Sequence, residues 1–194
     1  MAEDPGWKPA LKGVRRMLIP GGAAMIPKRE TALTTARTFA VGAVIGWFAV
    51  GGFLALLDQD LTPTTAAEGV AIFGVVEVVL IAALRRRELS VENARKLRHS
   101  FAQTFFLGYV LANTVMIFAF FAFFRAGRGQ LLAYLTGIPF ASFGLWLIAP
   151  TKDRLAGQQA RLAAGGSDLV VLEVLEAPPD PMPQKPRPNR RRRW

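Results

Sequence analysis

The stretch TTAAEGVAIFGVVEVVLIAALRRR, Thr64 to Arg87, decides the fold of this chain. Its apolar block, residues 66–84, would extend about 28 Å as a helix, which is close to the thickness of the hydrocarbon core of a bilayer. A helix of a soluble domain needs one polar face, and this block has none. We therefore interpret the block as a transmembrane helix that carries two carboxylates, Glu68 near its outer end and Glu77 well inside it, and is followed by three consecutive arginines.

The composition supports a membrane protein and excludes several other classes. Apolar residues form 52% of the chain and charged residues 20%, and the two kinds alternate in long blocks instead of being interleaved. The chain has no cysteine and one histidine, His99, which excludes disulfides, thiolate chemistry and a haem held by two histidines. No catalytic or metal-binding motif is present, so we expect no catalytic residue, no metal and no cofactor.

Three further apolar blocks predict three more spans, at residues 39–57, 101–124 and 131–149. The third helix is expected to start near Val91, before its span. The fold class predicted from the sequence is an all-α polytopic membrane protein with four transmembrane helices, both termini cytoplasmic, an interfacial N-terminal helix and a disordered basic tail.

The regions outside the spans divide the chain into four parts. Residues 1–35 form a basic amphipathic segment, with an apolar stripe, and residues 36–149 form the transmembrane domain. Residues 150–176 are a short cytoplasmic helical segment, in which 167–176 is compatible with helix or strand and we favour helix. Residues 177–194 are rich in proline and arginine, which predicts disorder. The stripe of the first segment consists of Trp7, Leu11, Val14 and Leu18.

The distribution of basic residues predicts the orientation. Lysine and arginine are concentrated in the N-terminal segment, in the loop after the second span and in the tail, so the positive-inside rule places both termini in the cytoplasm. Arginine outnumbers lysine and small residues are abundant, which favours a bacterial inner membrane. The net charge of +10 follows this topology, so we expect no nucleic-acid partner. We expect contact with anionic lipid headgroups from Lys8, Lys12, Arg15, Arg16, Arg85, Arg86 and Arg87.

Two pairs of small residues predict close packing between helices. Gly42 and Gly46 form a GxxxG pattern in the first span, and Gly137 and Ala141 form a similar pair in the fourth. Such pairs allow another helix backbone to approach closely.

Glu77 is the main candidate for a functional residue. A carboxyl group inside a span is costly, so it is expected to face the interior of the bundle, water or a partner. Tyr109, Asn113 and Ser142 fall at similar depth on the other helices, and we predict that they form a polar cluster with Glu77.

Two functions remain open from the sequence. The first is a non-catalytic subunit or accessory protein that packs against membrane partners, either other subunits or further copies of itself. The second is a small oligomeric proton-coupled carrier or channel component, with Glu77 as its intramembrane proton site.

Overall fold

The computed structural model describes residues 4–17, 31–57, 61–62, 64–87, 89, 92–125 and 130–178. In these parts the chain is helical and contains no strand. The helices are α1 (Lys8–Met17), α2 (Ala32–Leu57), α3 (Thr65–Arg85), α4 (Ala94–Arg125), α5 (Leu131–Ile148), α6 (Lys152–Ala164) and α7 (Val171–Glu176).

Helices α2 to α5 are long and apolar enough to cross a membrane, which confirms a multi-pass helical protein with four spans. Two of these helices differ from the predicted bounds. Helix α2 begins at Ala32, inside the segment predicted to end at residue 35, because the hydroxyl of Thr31 accepts a hydrogen bond from the backbone N–H of Thr34 at 3.2 Å. Helix α4 begins at Ala94, where the Asn93 side chain caps it.

Helices α3, α4 and α5 form the tightly packed part of the bundle. Gly74 of α3 lies against Phe140 of α5. Two turns further along α3, the large residue is on α3 and the glycine on α5, where Ile81 lies against Gly144. A Cβ at Gly74 would lie 2.6 Å from the Phe140 ring, and one at Gly144 would lie 2.7 Å from Ile81 Cδ1. The two helices run parallel and fit bulky residues into glycine notches.

The contact between α4 and α5 is equally close. A Cβ added at Gly137 would lie 2.7 Å from Ala119 Cβ, and one at Gly108 would lie 2.9 Å from Ile148. Ala141 is fully buried in the same seam. The pair Gly137 and Ala141 thus lies where α5 faces the rest of the bundle, and α5 runs through Pro139 without a break.

Helix α2 is peripheral. It packs against α4 and α5, and its full length makes no contact with α3, the next helix in the chain. Two hydrogen bonds at Trp47 join it to α4 and α5: Trp47 Nε1 donates to Asn113 Oδ1 of α4 at 3.2 Å, and the Tyr134 hydroxyl of α5 donates to the Trp47 carbonyl at 3.0 Å.

The short helices gather at one end of the bundle, which we call the basic end: the end of α3, the start of α4, and α1, α6 and α7. Helix α1 lies on α2 through Ala10, Gly13 and Val14, and a Cβ at Gly13 would lie 3.0 Å from the Thr38 hydroxyl. Of the predicted stripe, Val14 is buried against α2, whereas Leu11 is 54% exposed, because close approach of the two helices places the small residues of α1 on the face toward α2.

Residues 167–176, which the sequence allowed to be helix or strand, contain helix α7. Val171 and Leu175 are buried, and Arg98 Nε of α4 donates to the Val174 carbonyl at 3.3 Å. That bond satisfies an acceptor in the last turn of the helix. Leu18 and the tail from residue 179, for which disorder was predicted, lie outside the described residues.

Candidate functional site

Glu77 lies on the single buried stripe of α3. The buried residues of this helix recur at Ala67, Val70, Gly74, Glu77 and Ile81, which is a heptad spacing. Glu77 is 6% exposed, so it faces the interior of the bundle. Glu77 lies on the face of α3 that packs against α5, and the other buried residues of that face are apolar or small.

The carboxyl group of Glu77 is not fully satisfied. Its Oε2 atom is buried and has no hydrogen-bond partner among the described residues. Its neighbours along the buried stripe, Gly74 and Ile81, lie against the Phe140 and Gly144 layers of α5, so the surroundings on that side are apolar. A buried carboxyl without a partner is stable only in its neutral form or with a ligand that the chain does not supply.

The residues predicted to surround Glu77 make contacts with other residues. Asn113 accepts from Trp47 and donates from Nδ2 to the Tyr109 carbonyl at 2.8 Å, so its amide ties α4 to α2. Ser142 lines a surface cavity with Trp7 and Val44, on the side of α5 that faces α2 and the segment before α1. No hydrogen bond connects the Glu77 Oε2 atom to any of the three residues.

A second polar site, which the sequence did not reveal, lies at the basic end around Arg37. This residue is 1% exposed, although it is in the first turns of a membrane-spanning helix. Its Nη1 donates to Asp4 Oδ1 at 2.6 Å and to the Gly6 carbonyl at 2.8 Å, and its Nη2 donates to Asp4 Oδ2 at 2.9 Å. Nε and Nη2 both donate to the Pro150 carbonyl, at 3.2 and 2.9 Å.

Arg37 therefore uses all five N–H donors of its guanidinium group. The bidentate contact with Asp4 neutralises its charge, and the Trp7 ring lies over the guanidinium with its centroid 5.3 Å away. The site joins the segment before α1, the start of α2 and the turn after α5. Its geometry suits structural clamping rather than catalysis, because no donor is left for a substrate.

Two further charges lie near this clamp. The hydrogen bond from Arg37 holds the pKa of Asp4 below its ordinary value, and Lys152 contributes in the same direction. Burial and the nearby Asp4 carboxylate raise the pKa of Glu176, and Arg37 opposes this shift. The Oε1 atom of Glu176 is buried without a hydrogen-bond partner. Asp4, rather than Glu176, is thus the counter-ion of Arg37.

The hydropathy of the sequence could not have identified the Arg37 site. Arg37 precedes the apolar block of the first span by two residues and reads as an ordinary flanking charge. Its partner Asp4 is 33 residues away in the sequence. The sequence held only a weak indication of this site. Arg37 is the single arginine between Glu30 and the first span, and Asp4 is followed by Pro-Gly-Trp, which is typical of a turn.

The residues predicted to contact headgroups are all exposed at the basic end, and none forms an ion pair within the described parts of the chain.

The two glycines of the GxxxG pattern in α2, Gly42 and Gly46, differ in their surroundings. A Cβ at Gly42 would lie 3.9 Å from Val14 of α1, whereas one at Gly46 would meet nothing within 4 Å.

The described parts of the chain contain no group of three side chains of the kinds that bind metals. A scan against protein-family models found no match, and searches of curated proteins and of solved structures found no significant match either.

Proposed function

We propose that this chain is a non-catalytic membrane subunit or accessory protein that acts by packing α2 against a transmembrane helix of a partner. One observation carries the proposal: α2 is peripheral and presents a face of small residues that no described part of the chain covers. Gly46, Ala49 and Gly52 are exposed, and a Cβ at Gly46 or Gly52 would meet nothing within 4 Å.

Bulky apolar residues flank these small ones on the same helix. Phe48 is 60% exposed, Phe53 59% and Leu56 83%. Small residues between large ones form a notch into which a helix backbone fits, and the same arrangement joins α3, α4 and α5 inside this bundle. Lipid chains gain little from such a notch, whereas a partner helix gains close van der Waals contact.

The first experiment is mass measurement of the tagged, full-length protein extracted in native lipid discs. We expect recovery with a stoichiometric partner, either a different membrane protein or a second copy of this chain. Gly46→Leu fills the notch and should abolish that association. Recovery of the unaltered protein as a lone monomer would contradict the proposal.

Gly69→Leu is the matched control. Gly69 is also a helical glycine in a span, on α3, and a Cβ there would meet nothing within 4 Å. The control should leave the association intact. Equal loss of the partner in both variants would indicate a general effect of leucine on the bundle, and would overturn the role of the α2 face.

A second candidate function, a proton-coupled carrier or channel component, is favoured by Glu77. Its buried Oε2 lacks a partner, and a carboxyl in that state is able to load and release a proton if water or a second subunit reaches it. In proteoliposomes, Glu77→Gln should then abolish pH-driven flux while the protein stays folded. Absence of proton flux in the unaltered protein would exclude this function.

We also propose that both termini face the cytoplasm of a bacterial inner membrane, on the basis of the basic end and the positive-inside rule. The chain has no cysteine, so single-cysteine labelling is unambiguous. In intact cells, a membrane-impermeant thiol reagent should label Leu61→Cys between α2 and α3, and should not label Gly157→Cys on α6. The reverse pattern would invert the topology.

A further inference from the structure

A cavity of about 380 Å³ opens at the basic end, between the end of α3, the start of α4 and helix α6. Its polar side carries four arginines, and its other side carries aromatic and aliphatic groups that include Phe101 and Trp146. The arginines are Arg85, Arg87, Arg154 and Arg161.

Among the described residues, most of the positive charge of this cavity has no compensating negative charge. Asp153 is the one acidic residue in the described lining, and it forms no ion pair with any of the four arginines. Arg154 donates from Nη1 to the Ala149 carbonyl at 3.0 Å, which is a neutral acceptor. Burial and the neighbouring charge of Arg85 lower the pKa of Arg154. The described lining thus brings four cations together with one carboxylate, which is paired with none of them.

Trp146 fixes the depth of the cavity relative to the membrane. It lies in the last turn of α5, is 57% exposed, and has the guanidinium of Arg154 over its ring at 5.1 Å from the centroid. Exposed tryptophans at the ends of spans are typical of the headgroup region. The arginines therefore lie at headgroup level, and Phe101, Phe105 and Ile148 lie on the side toward the hydrocarbon.

The cavity also contains an unsatisfied acceptor. Gln158 of α6 lines it, and the Oε1 atom of this residue is buried with no hydrogen-bond partner. Because this atom is buried, the Gln158 side chain has to rotate toward the cavity before it can accept a hydrogen bond from a hydroxyl group of a bound molecule. The cavity thus combines four arginine guanidinium groups, the Gln158 carbonyl oxygen without a described donor, and an apolar wall.

We propose that this cavity is a specific binding site for an anionic phospholipid whose headgroup carries two phosphates joined by a hydroxyl-bearing glycerol. Arginine forks bind phosphate oxygens in pairs, Gln158 accepts from the hydroxyl, and the acyl chains leave along the apolar wall. The charge supports two phosphates over one, since four arginines and Asp153 leave a net of three positive charges among these side chains. The site is separate from the exposed face of α2, so it stands or falls independently of the proposed function.

The test is native mass spectrometry of the full-length protein in detergent, titrated with cardiolipin, phosphatidylglycerol, phosphatidylcholine or sn-glycerol 3-phosphate. We expect one tightly held cardiolipin, weaker phosphatidylglycerol and no retained phosphatidylcholine. Arg154→Gln and the double variant Arg85→Gln/Arg161→Gln should each weaken cardiolipin binding about tenfold or more.

Arg86→Gln is the matched control. The substitution removes one positive charge next to Arg85, and Arg86 itself does not line the cavity. It should change the affinity by less than about twofold. Equal loss in the control would show nonspecific attraction, and unchanged binding in Arg154→Gln would place the lipid elsewhere. Displacement of cardiolipin by glycerol phosphate would show a site for soluble phosphate instead.

Arg154 also packs on Trp146, so its variant could unfold. In that case the double variant decides the test, because the side chains of Arg85 and Arg161 are exposed and form no described hydrogen bond or ion pair. Arg154→Lys provides a second measurement: it keeps the charge and loses the fork, so it should restore only part of the affinity.

Discussion

Arg37 and Asp4 form a bidentate ion pair across 33 residues of sequence, with Nη1 to Oδ1 at 2.6 Å and Nη2 to Oδ2 at 2.9 Å. The pair attaches the segment before α1 to the first transmembrane helix, and the Pro150 carbonyl adds the turn after α5 to the same guanidinium. The arrangement of the basic end therefore depends on a single buried side chain.

Replacing Arg37 by glutamine should strongly destabilise the protein. The variant leaves the Asp4 carboxylate and the Gly6 and Pro150 carbonyls without their donors, and loss of one partner of a buried pair costs about 3–5 kcal/mol. We expect the Tm in detergent to fall by about 10 °C. Arg125→Gln, at an exposed arginine of α4, serves as the control. An equal, small change in both variants would contradict the clamp.

Acid should release the N-terminal segment. Because Arg37 lowers the pKa of folded Asp4, the pair stabilises the docked segment above the ordinary aspartate pKa, about 3.9, and this stabilisation is lost as the pH falls through the lower pKa of the folded state. Glu176 has the opposite shift, so its protonation at higher pH favours the docked state and does not mimic the release.

Spin labels at Leu11→Cys and Ala160→Cys would measure this release, because both positions are exposed and the chain has no other cysteine. The distance distribution should be narrow at neutral pH and broaden below about pH 4. Asp4→Asn should already be broad at neutral pH. A distribution that stays narrow in Asp4→Asn would show that packing of α1 on α2 suffices.

Gly137→Ala should loosen the contact between α4 and α5. The new methyl group would lie 2.7 Å from Ala119 Cβ, and neither group has a torsion that could relieve the clash. Overpacking of this kind costs about 1–3 kcal/mol. Gly69→Ala should be neutral or slightly stabilising, because its methyl group meets nothing and alanine favours the helix. Thermal unfolding of the two variants side by side gives the comparison, and a stable Gly137→Ala would contradict the packing.

Glu77→Met should raise the Tm if the carboxyl serves no ligand. Methionine has similar length, fills the same position of the seam and removes a buried oxygen that lacks a partner. We expect a rise of about 2–4 °C, and no rise for Glu68→Met at the exposed start of α3. A lower Tm for Glu77→Met would reveal a water or a partner group bound to the carboxyl.

The apolar blocks predicted the four spans because bilayer thickness and backbone hydrogen bonding leave a long apolar segment few other structures. The depth and burial of Glu77 followed from the same argument. The polar cluster around Glu77 stays a prediction, because residues of equal depth meet only if the helices are rotated toward each other. Asn113 is turned toward Trp47, and Ser142 toward α2 and the segment before α1.

By itself, then, the sequence determined the all-helical membrane class and the four helices long and apolar enough to span a membrane, since each of these depends on composition and length along one segment. The tertiary structure alone decided that Arg37 pairs with Asp4, that α2 is peripheral, and that arginines from α3 and α6 share a cavity with Trp146. The physical reason is that these features join side chains from segments far apart in the chain. Their energies depend on helix rotation and approach, which local hydropathy does not encode.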